Sequence, residues 1–214
     1  MKRKYVLIVF ILILIQNNVF VACKQRYKNP DFNRGLLEGN KLKGTDSPDG
    51  RYALFWIFPY YDCDAATSQS EVVVASTDKT HVYGVIDSST EAQTVDEFVK
   101  TVLVYKWSPD SRYLATHNST KKDSKLHIYD MMNESHDENW QRDGLNIPDL
   151  KTRAQIKMGE SNVQIISSGQ IPIAWYDSRT LQVNIRLKTQ KETKSCEFFL
   201  YIQPNNVIDI DDKK

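Results

Sequence analysis

Short apolar runs separated by polar turns dominate the chain after residue 46. "RYALFWIF" (51–58) is apolar on both alternating faces, with Phe55, Ile57 and Pro59 on one and Trp56, Phe58 and Tyr60 on the other. Such a strand is either central in a β core or keeps a face open for a partner. Further strands are predicted at "SEVVVAST" (70–77), "THVYGVID" (80–87), "KTVLVYKW" (100–107), "RYLATHN" (112–118) and "KLHIYDMM" (125–132). The second half adds "SNVQIISSG" (161–169), "IPIAW" (171–175), "RTLQVNIRL" (179–187) and "CEFFLYIQ" (196–203). Helical pattern is scarce. "STEAQTVDEFVK" (89–100) predicts a short helix capped by Ser89 or Thr90, and "LKTRAQIKMG" (150–159) a helical turn or a strand. "NESHDENWQRDGLNIPDL" (133–150) reads as a long polar loop. The predicted class is all-β with minor α, built from antiparallel hairpins.

The hairpins echo one another. "SPDGRYALFW" (47–56) returns as "WSPDSRYLAT" (107–116), and more weakly as "WYDSRTLQV" (175–183). Aligning Asp49, Asp110 and Asp177 gives steps of 61 and 67 residues. Each echo continues as strand, polar turn, strand. The turn chemistry is plain. Pro48 and Pro109 preset φ near −65°, Asp49 and Asp110 can accept from backbone amides two residues on, and Gly50 permits the positive φ that closes the bend. Trp107 and Trp175 stand at the end of a preceding strand, where a large ring can cover the hairpin base.

These residues resemble the TolB-type propeller repeat, in which a strand ends near W-S-P-D-G/S and the next opens R/K-x-L/I-A. "KLHIYDMM" is similar to the L-x-I-x-D outer strands of such blades. The resemblance implies four-stranded antiparallel blades that serve as protein-binding surfaces or scaffolds, arranged as a partial or small propeller. The steps are longer than the ~40–45 residues of a usual blade. Either the segments between hairpins hold extra elements, or the array is partial, or the hairpins form a sandwich.

The first residues have a different pattern. Lys2, Arg3 and Lys4 precede an unbroken apolar run from Tyr5 to Ile15, then a polar break at Gln16–Asn18 and a short apolar approach to Cys23. A helix of that run rises about 16 Å, roughly half a bilayer core, so a cleaved signal is expected over a stable membrane span. A cut after Ala22 would put the bulky Phe20 at −3, unsuited to the ordinary signal peptidase. "Phe20-Val21-Ala22-Cys23" instead resembles the bacterial lipobox, with Phe where Leu is commonest. That resemblance implies acylation of Cys23, palmitate-type chains included. Each buried methylene adds ~0.8 kcal/mol, so several chains anchor firmly. Lys24 stands where Asp favours inner-membrane retention, which points to the outer membrane. An ordinary secreted protein or an uncleaved anchor are the alternatives. The expected organisation is a signal at 1–22, lipidated Cys and tether at 23–46, a β body at 47–204 and a polar tail at 205–214.

Acylation leaves Cys63 and Cys196, which in an oxidising compartment either pair or stay as two buried thiols. A Cys63–Cys196 bridge would be worth ~4–5 kcal/mol in the chain-entropy account. Removing residues 1–22 leaves 25 basic and 27 acidic side chains, a near-neutral body with no electrostatic footprint for nucleic acid. Catalytic motifs are missing: no G-x-S-x-G, no H-E-x-x-H and no phosphate-cradling Gly-rich loop. Neither a metal site nor a cofactor is expected. "DCDAAT" (62–67) lacks the ligand spacing of a calcium loop. His117 and His127 fall in one predicted hairpin and are expected to approach each other across it. Asn118-Ser119-Thr120 and Asn133-Glu134-Ser135 match glycosylation acceptors, a coincidence in a bacterial chain.

The expected function is therefore a non-enzymatic, membrane-anchored module that binds or scaffolds an unidentified protein in the periplasm. Trp56, Phe58, Tyr60 and Tyr61 are the first candidate binding surface, because Trp and Tyr dominate interface hot spots. An immunity lipoprotein against an envelope-targeting toxin is one alternative. A hydrolase bringing together Asp62, Asp64, His117 and His127 is another.

Overall fold

The computed structural model of the chain describes residues 37, 40–62, 67–89, 103–118, 123–133, 135 and 141–211. Three sheets stack face to face in chain order. The first is the antiparallel meander β1 (Tyr52–Asp62), β2 (Thr67–Ser76) and β3 (Val82–Ser89). The second is β4 (Leu103–Trp107), β5 (Tyr113–Asn118) and β7 (Leu126–Asp130), with the two-residue β6 (Asp123–Ser124) between the last two in sequence. The third comprises β8 (Ser167–Trp175), β9 (Thr180–Lys188), β10 (Thr193–Ile202) and β11 (Ile208–Asp211), and β6 joins its free edge. The helix α1 (Leu150–Lys157) covers β9 and β10. The fold is all-β with minor α, as the patterning predicts.

Burial explains the two kinds of strand pattern. Tyr52, Leu54, Trp56, Val72, Val74 and Ile86 face the second sheet's Leu103, Leu114, Tyr129 and Met131. Ala53, Phe55, Ile57, Val73, Ala75 and Val85 form the opposite face, buried with Leu37. A strand buried on both faces must be apolar at every position, hence "YALFWI" and "VVVA". The second core joins Tyr113, Ala115, Leu126 and Ile128 to Leu181, Val183, Ile185, Leu187, Phe198 and Leu200 of the third sheet. There the alternates Gln182, Asn184 and Arg186 lie outside that core, so β9 keeps strict alternation. Each fully buried aliphatic of these cores contributes about 1.5–3 kcal/mol.

The echoed turns have matching wiring. Ser47 N–H donates to Tyr52 O and Gly50 N–H to Ser47 O; Ser108 N–H donates to Tyr113 O and Ser111 N–H to Ser108 O, all at 2.8–2.9 Å. The Ser47 hydroxyl donates to Asp49 and accepts from Tyr52 N–H, and Ser108 repeats this with Asp110 and Tyr113. Gly50 has φ +72° and Ser111, its counterpart, +62°. The third turn is one residue shorter: Tyr176 N–H meets Thr180 O, while Asp177 accepts from Arg179 and Thr180.

Four expectations change, one falls mostly outside the described residues, and one open alternative is settled. The stretch assigned to the tether is folded at its end: Leu42 and Thr45 are buried, and residues 40–42 pair with β1 through Leu42 N–H to Leu54 O and Trp56 N–H to Asn40 O. The polar tail is folded too, since β11 buries Ile208 and pairs with β10. Residues 161–166 form turns, with Val163 N–H bonded to Glu160 O, and the β8 strand starts at Ser167. Pairing is not wholly antiparallel, because β6 runs parallel to β8. Ser89 ends β3 and the rest of the helix expected at 89–100 lies outside the described residues. The segment at 150–159 resolves as helix, its Asp149 cap accepting from Thr152 N–H.

Candidate functional site

Where β3 meets β5 and β7, the first and second sheets leave a cleft of about 180 Å³. Polar side chains line it although they are almost wholly buried. Asn118 donates to Asp87 at 2.6 Å, the two being 9% and 8% exposed. The Tyr129 hydroxyl donates to Ile86 O at 3.0 Å, tying β7 to β3. Burial pushes the Tyr129 phenol well above its ordinary pKa, with a smaller opposing effect from the Thr116 hydroxyl. The phenol is therefore a neutral donor. Above it the exposed His127 ring lies parallel to Tyr129, centroids 6.2 Å apart. Lys125 is exposed on the rim.

One side of the cleft is pinned by Arg142, which donates to the carbonyls of Tyr83, Asp130 and Asn133. Its own N–H donates to Val85 O, and Gln141 bridges to Val85 in parallel. A buried guanidinium holding three carbonyls fixes residues 141–142 against β3. Ser124 lines the cleft from the other side, and its hydroxyl lies 3.4 Å from His117 Nε2. Burial lowers the His117 pKa; the charges of Arg186 and His127 add to this, and the Gln170 backbone works against it. The imidazole is therefore held neutral. Among the described residues, no group of three or more His, Cys, Asp or Glu is placed to hold a metal ion.

The residues singled out by sequence are scattered. Pro48, Asp49, Gly50, Pro109, Asp110 and Asp177 build the turns. Burial pushes the Asp49 carboxyl up, but Arg51 N–H and the Ser47 hydroxyl lead the bonds that outweigh it and hold it at about 2. Trp107 and Trp175 sit between sheets, stacked on Tyr52 and Tyr113. Trp56 does not belong to an exposed binding surface: it is 1% exposed in the core between the first two sheets, because β1 is covered on both faces. The backbones of Phe58, Tyr60 and Tyr61 lie in β1, but their side chains are outside the described set. His117 and His127 do not converge. Thr116 pairs with His127 and His117 with Leu126, which puts the imidazoles on opposite faces of the sheet. Asp62 ends β1, whereas Cys63 and Asp64 lie outside the described residues, as does Cys23. Cys196 is half-buried on β10 against the second core, and Cys63, with which a bridge is expected, lies outside the described residues.

A second surface was not foreseen. The third sheet's outward side exposes Tyr176 (67%), Tyr201 (44%) and Ile173 (39%). Tyr176 stands edge-on over Phe199, centroids 5.3 Å apart, and Gln182 donates to Glu197 beside them at 2.8 Å. No described helix is long and apolar enough to cross a membrane.

No family model and no curated protein matches the chain. Among solved structures it is similar to AtxE2 isopeptidase in its apo form, at 12% identity and a TM-score of 0.39, over 81% of this chain and 30% of that one. A variant of the same enzyme with Astexin3-dC4 bound gives 12%, 0.37, 78% and 28%. TolB from Acinetobacter baumannii gives 12%, 0.36, 82% and 32%. The chain thus spans about 30% of the length of the solved proteins it is similar to. The expectation that the chain is no enzyme is corrected by this comparison, in which two of the three structures are those of an isopeptidase. That activity belongs to the isopeptidase; at these scores the likeness assigns none here.

Proposed function

We propose that the chain is a bacterial envelope lipoprotein whose β body binds or scaffolds another protein in the periplasm, held at the outer membrane through acylated Cys23. The observation that supports a binding role is the third sheet's outward side. The first sheet is buried on both faces, whereas the third exposes Tyr176, Tyr201 and Ile173, with Tyr176 edge-on to Phe199. Tyr is enriched at interface hot spots because it combines a large apolar ring with a polar tip. The anchor reading rests on the lipobox-like Phe20-Val21-Ala22-Cys23.

One experiment addresses both parts. A photoreactive residue is placed at Tyr201 in the full-length protein, and separately at exposed Lys191, and membranes are irradiated. Crosslinks to another protein are expected from position 201 and not from 191. A Cys23→Ser version is fractionated alongside, with loss from the membrane fraction expected. Equal crosslinking from the two positions removes the binding surface, and unchanged membrane retention of C23S removes the lipid anchor.

A further inference from the structure

We propose that the cleft between the first and second sheets binds a small, neutral, polyhydroxylated ligand the size of one sugar ring. This does not depend on the protein-binding reading, which rests on the opposite end of the stack.

Size comes first. The cleft holds about 180 Å³, some six waters' share of liquid volume at ~30 Å³ each. That admits a single six-membered ring with its hydroxyls. The lining then favours a polar guest, although Ile86 and Leu103 also border the cleft. Asp87, Thr116, Asn118 and Tyr129 each have less than a tenth of their surface exposed, and all four border the cleft. Their desolvation has already been met by the fold, and their positions are set by bonds within it, such as Asn118 to Asp87 and Tyr129 to Ile86. A guest that hydrogen-bonds therefore meets preorganised groups.

Charge selects among polar guests. The guanidinium of Arg142 is occupied by three backbone carbonyls, and Lys125 is the other cation among the described residues of the lining. The carboxylate of Asp87 lines the cleft as well. Among the described residues no two free cations converge as a phosphate clamp needs, and no two carboxylates as a hard cation needs. What remains is a mixture of amide, carboxylate, hydroxyl and ammonium. Each carboxylate or amide offers several hydrogen-bonding positions, and a sugar hydroxyl both donates and accepts. The flat His127 ring, stacked on Tyr129 and open to solvent, supplies a face for the ring's C–H side.

The test uses the purified mature protein and saturation-transfer NMR with D-glucose, D-galactose and D-mannose as probes, and titrates inorganic phosphate in parallel. At least one hexose is expected to bind saturably with Kd on the order of 1 mM, the strength that ligand-efficiency limits allow for about twelve heavy atoms. Removal of the exposed ring by His127→Ala is expected to weaken it at least about fivefold without changing the melting temperature. The near-isosteric T116V should weaken binding likewise, and K191A in the exposed turn between β9 and β10 should leave it unchanged. No saturable hexose signal up to about 50 mM overturns the proposal. So does hexose binding that is indifferent to H127A and T116V, or phosphate binding tighter than any hexose.

Discussion

The indole of Trp175 stacks on the ring of Tyr113, centroids 6.0 Å apart and planes 19° from parallel, and its Nε1–H donates to Lys106 O at 3.0 Å. Trp107 does the same one sheet earlier, on Tyr52 at 5.9 Å and 16°, donating to Thr45 O at 2.9 Å. Thr45 and Lys106 both precede their turn Asp by four residues, so the two junctions are the same device used twice. Each sheet's Trp grips the turn-proximal Tyr of the sheet before it. The series has ends. Asp46 stands where the first repeat would carry Trp, and Thr180 where the third would carry the receiving Tyr. Neither end of the stack can repeat the clamp, and the third sheet's outward side is left with Tyr176 and Tyr201 instead.

Replacing Trp175 separates the two parts of this clamp. Trp175→Phe keeps an aromatic on Tyr113 but loses the Nε1–H bond, and is expected to cost about 1 kcal/mol. Trp175→Ala removes the stack as well and is expected to cost about 3 kcal/mol. Urea unfolding followed by Trp fluorescence and circular dichroism measures both. A W175F protein as stable as the parent removes the hydrogen bond from the account.

Ser111 holds a left-handed backbone, φ +62°, where the first repeat uses Gly50. Its hydroxyl also accepts from Asp49 N–H at 3.0 Å, linking the two turns across the sheet junction. Ser111→Ala keeps the backbone strain and loses that bond, for an expected loss of about 1 kcal/mol. Ser111→Gly loses the bond but relieves a strain of about 1 kcal/mol, so it should stay closer to the parent than S111A does. The reverse order in chemical denaturation would show that strain at this position is negligible.

Much of this architecture is written in the strands themselves. "YALFWI" and "VVVA" announce two-faced burial and "LQVNIRL" one-faced burial, which separates the first sheet, covered on both faces, from the third, covered on one. The Trp before the turn marks the clamp. What fails does so for local reasons. A strand apolar on both faces reads alike whether it is enclosed or open, and so its pattern offers Trp56 to a surface that it does not occupy. "IDID" (208–211) and Leu42 sit among polar neighbours, so the ends of the body were set too narrowly. The cleft is illegible in sequence. Asp87, Asn118, Tyr129 and Arg142 come from four segments that meet only after two sheets stack, and Asn118 carried no signal beyond a chance glycosylation triplet.

Asp130 ties the second and third sheets together. Its carboxylate, 3% exposed, accepts two bonds from Arg112, one from Met132 N–H and one from the Asn206 amide in the β10–β11 turn. Burial pushes its pKa up, but these bonds, Arg112 foremost, outweigh burial and hold it below the ordinary 3.8. A depressed carboxyl stabilises the fold above its unfolded pKa and ceases to as pH falls through the folded value. Asp130→Asn leaves Arg112 without its counter-charge. It is expected to cost about 3 kcal/mol near neutrality, with the deficit shrinking below pH 3.8 as the parent's own carboxylate takes up its proton. Melting temperatures of parent and variant from pH 7 to 2.5 measure this; curves that stay parallel throughout exclude it.

His117 works at the other end of the pH scale. Its pKa is lowered from 6.5, first by burial and then by the charges of Arg186 and His127. The unfolded chain therefore binds a proton here before the folded one does. Stability from this site is complete above pH 6.5 and declines as pH falls below that value toward the folded pKa. Within that window a solvated imidazolium is disfavoured because the ring is buried, with Nε2 3.4 Å from the Ser124 hydroxyl. His117→Gln is polar at the same place but does not titrate. Its melting temperature is expected to be flatter than the parent's between pH 6.5 and 5, and His127→Ala, on the exposed face, is expected to leave the parent's slope almost unchanged. Equal slopes for parent and H117Q in that window would mean that the buried imidazole is not what senses acid.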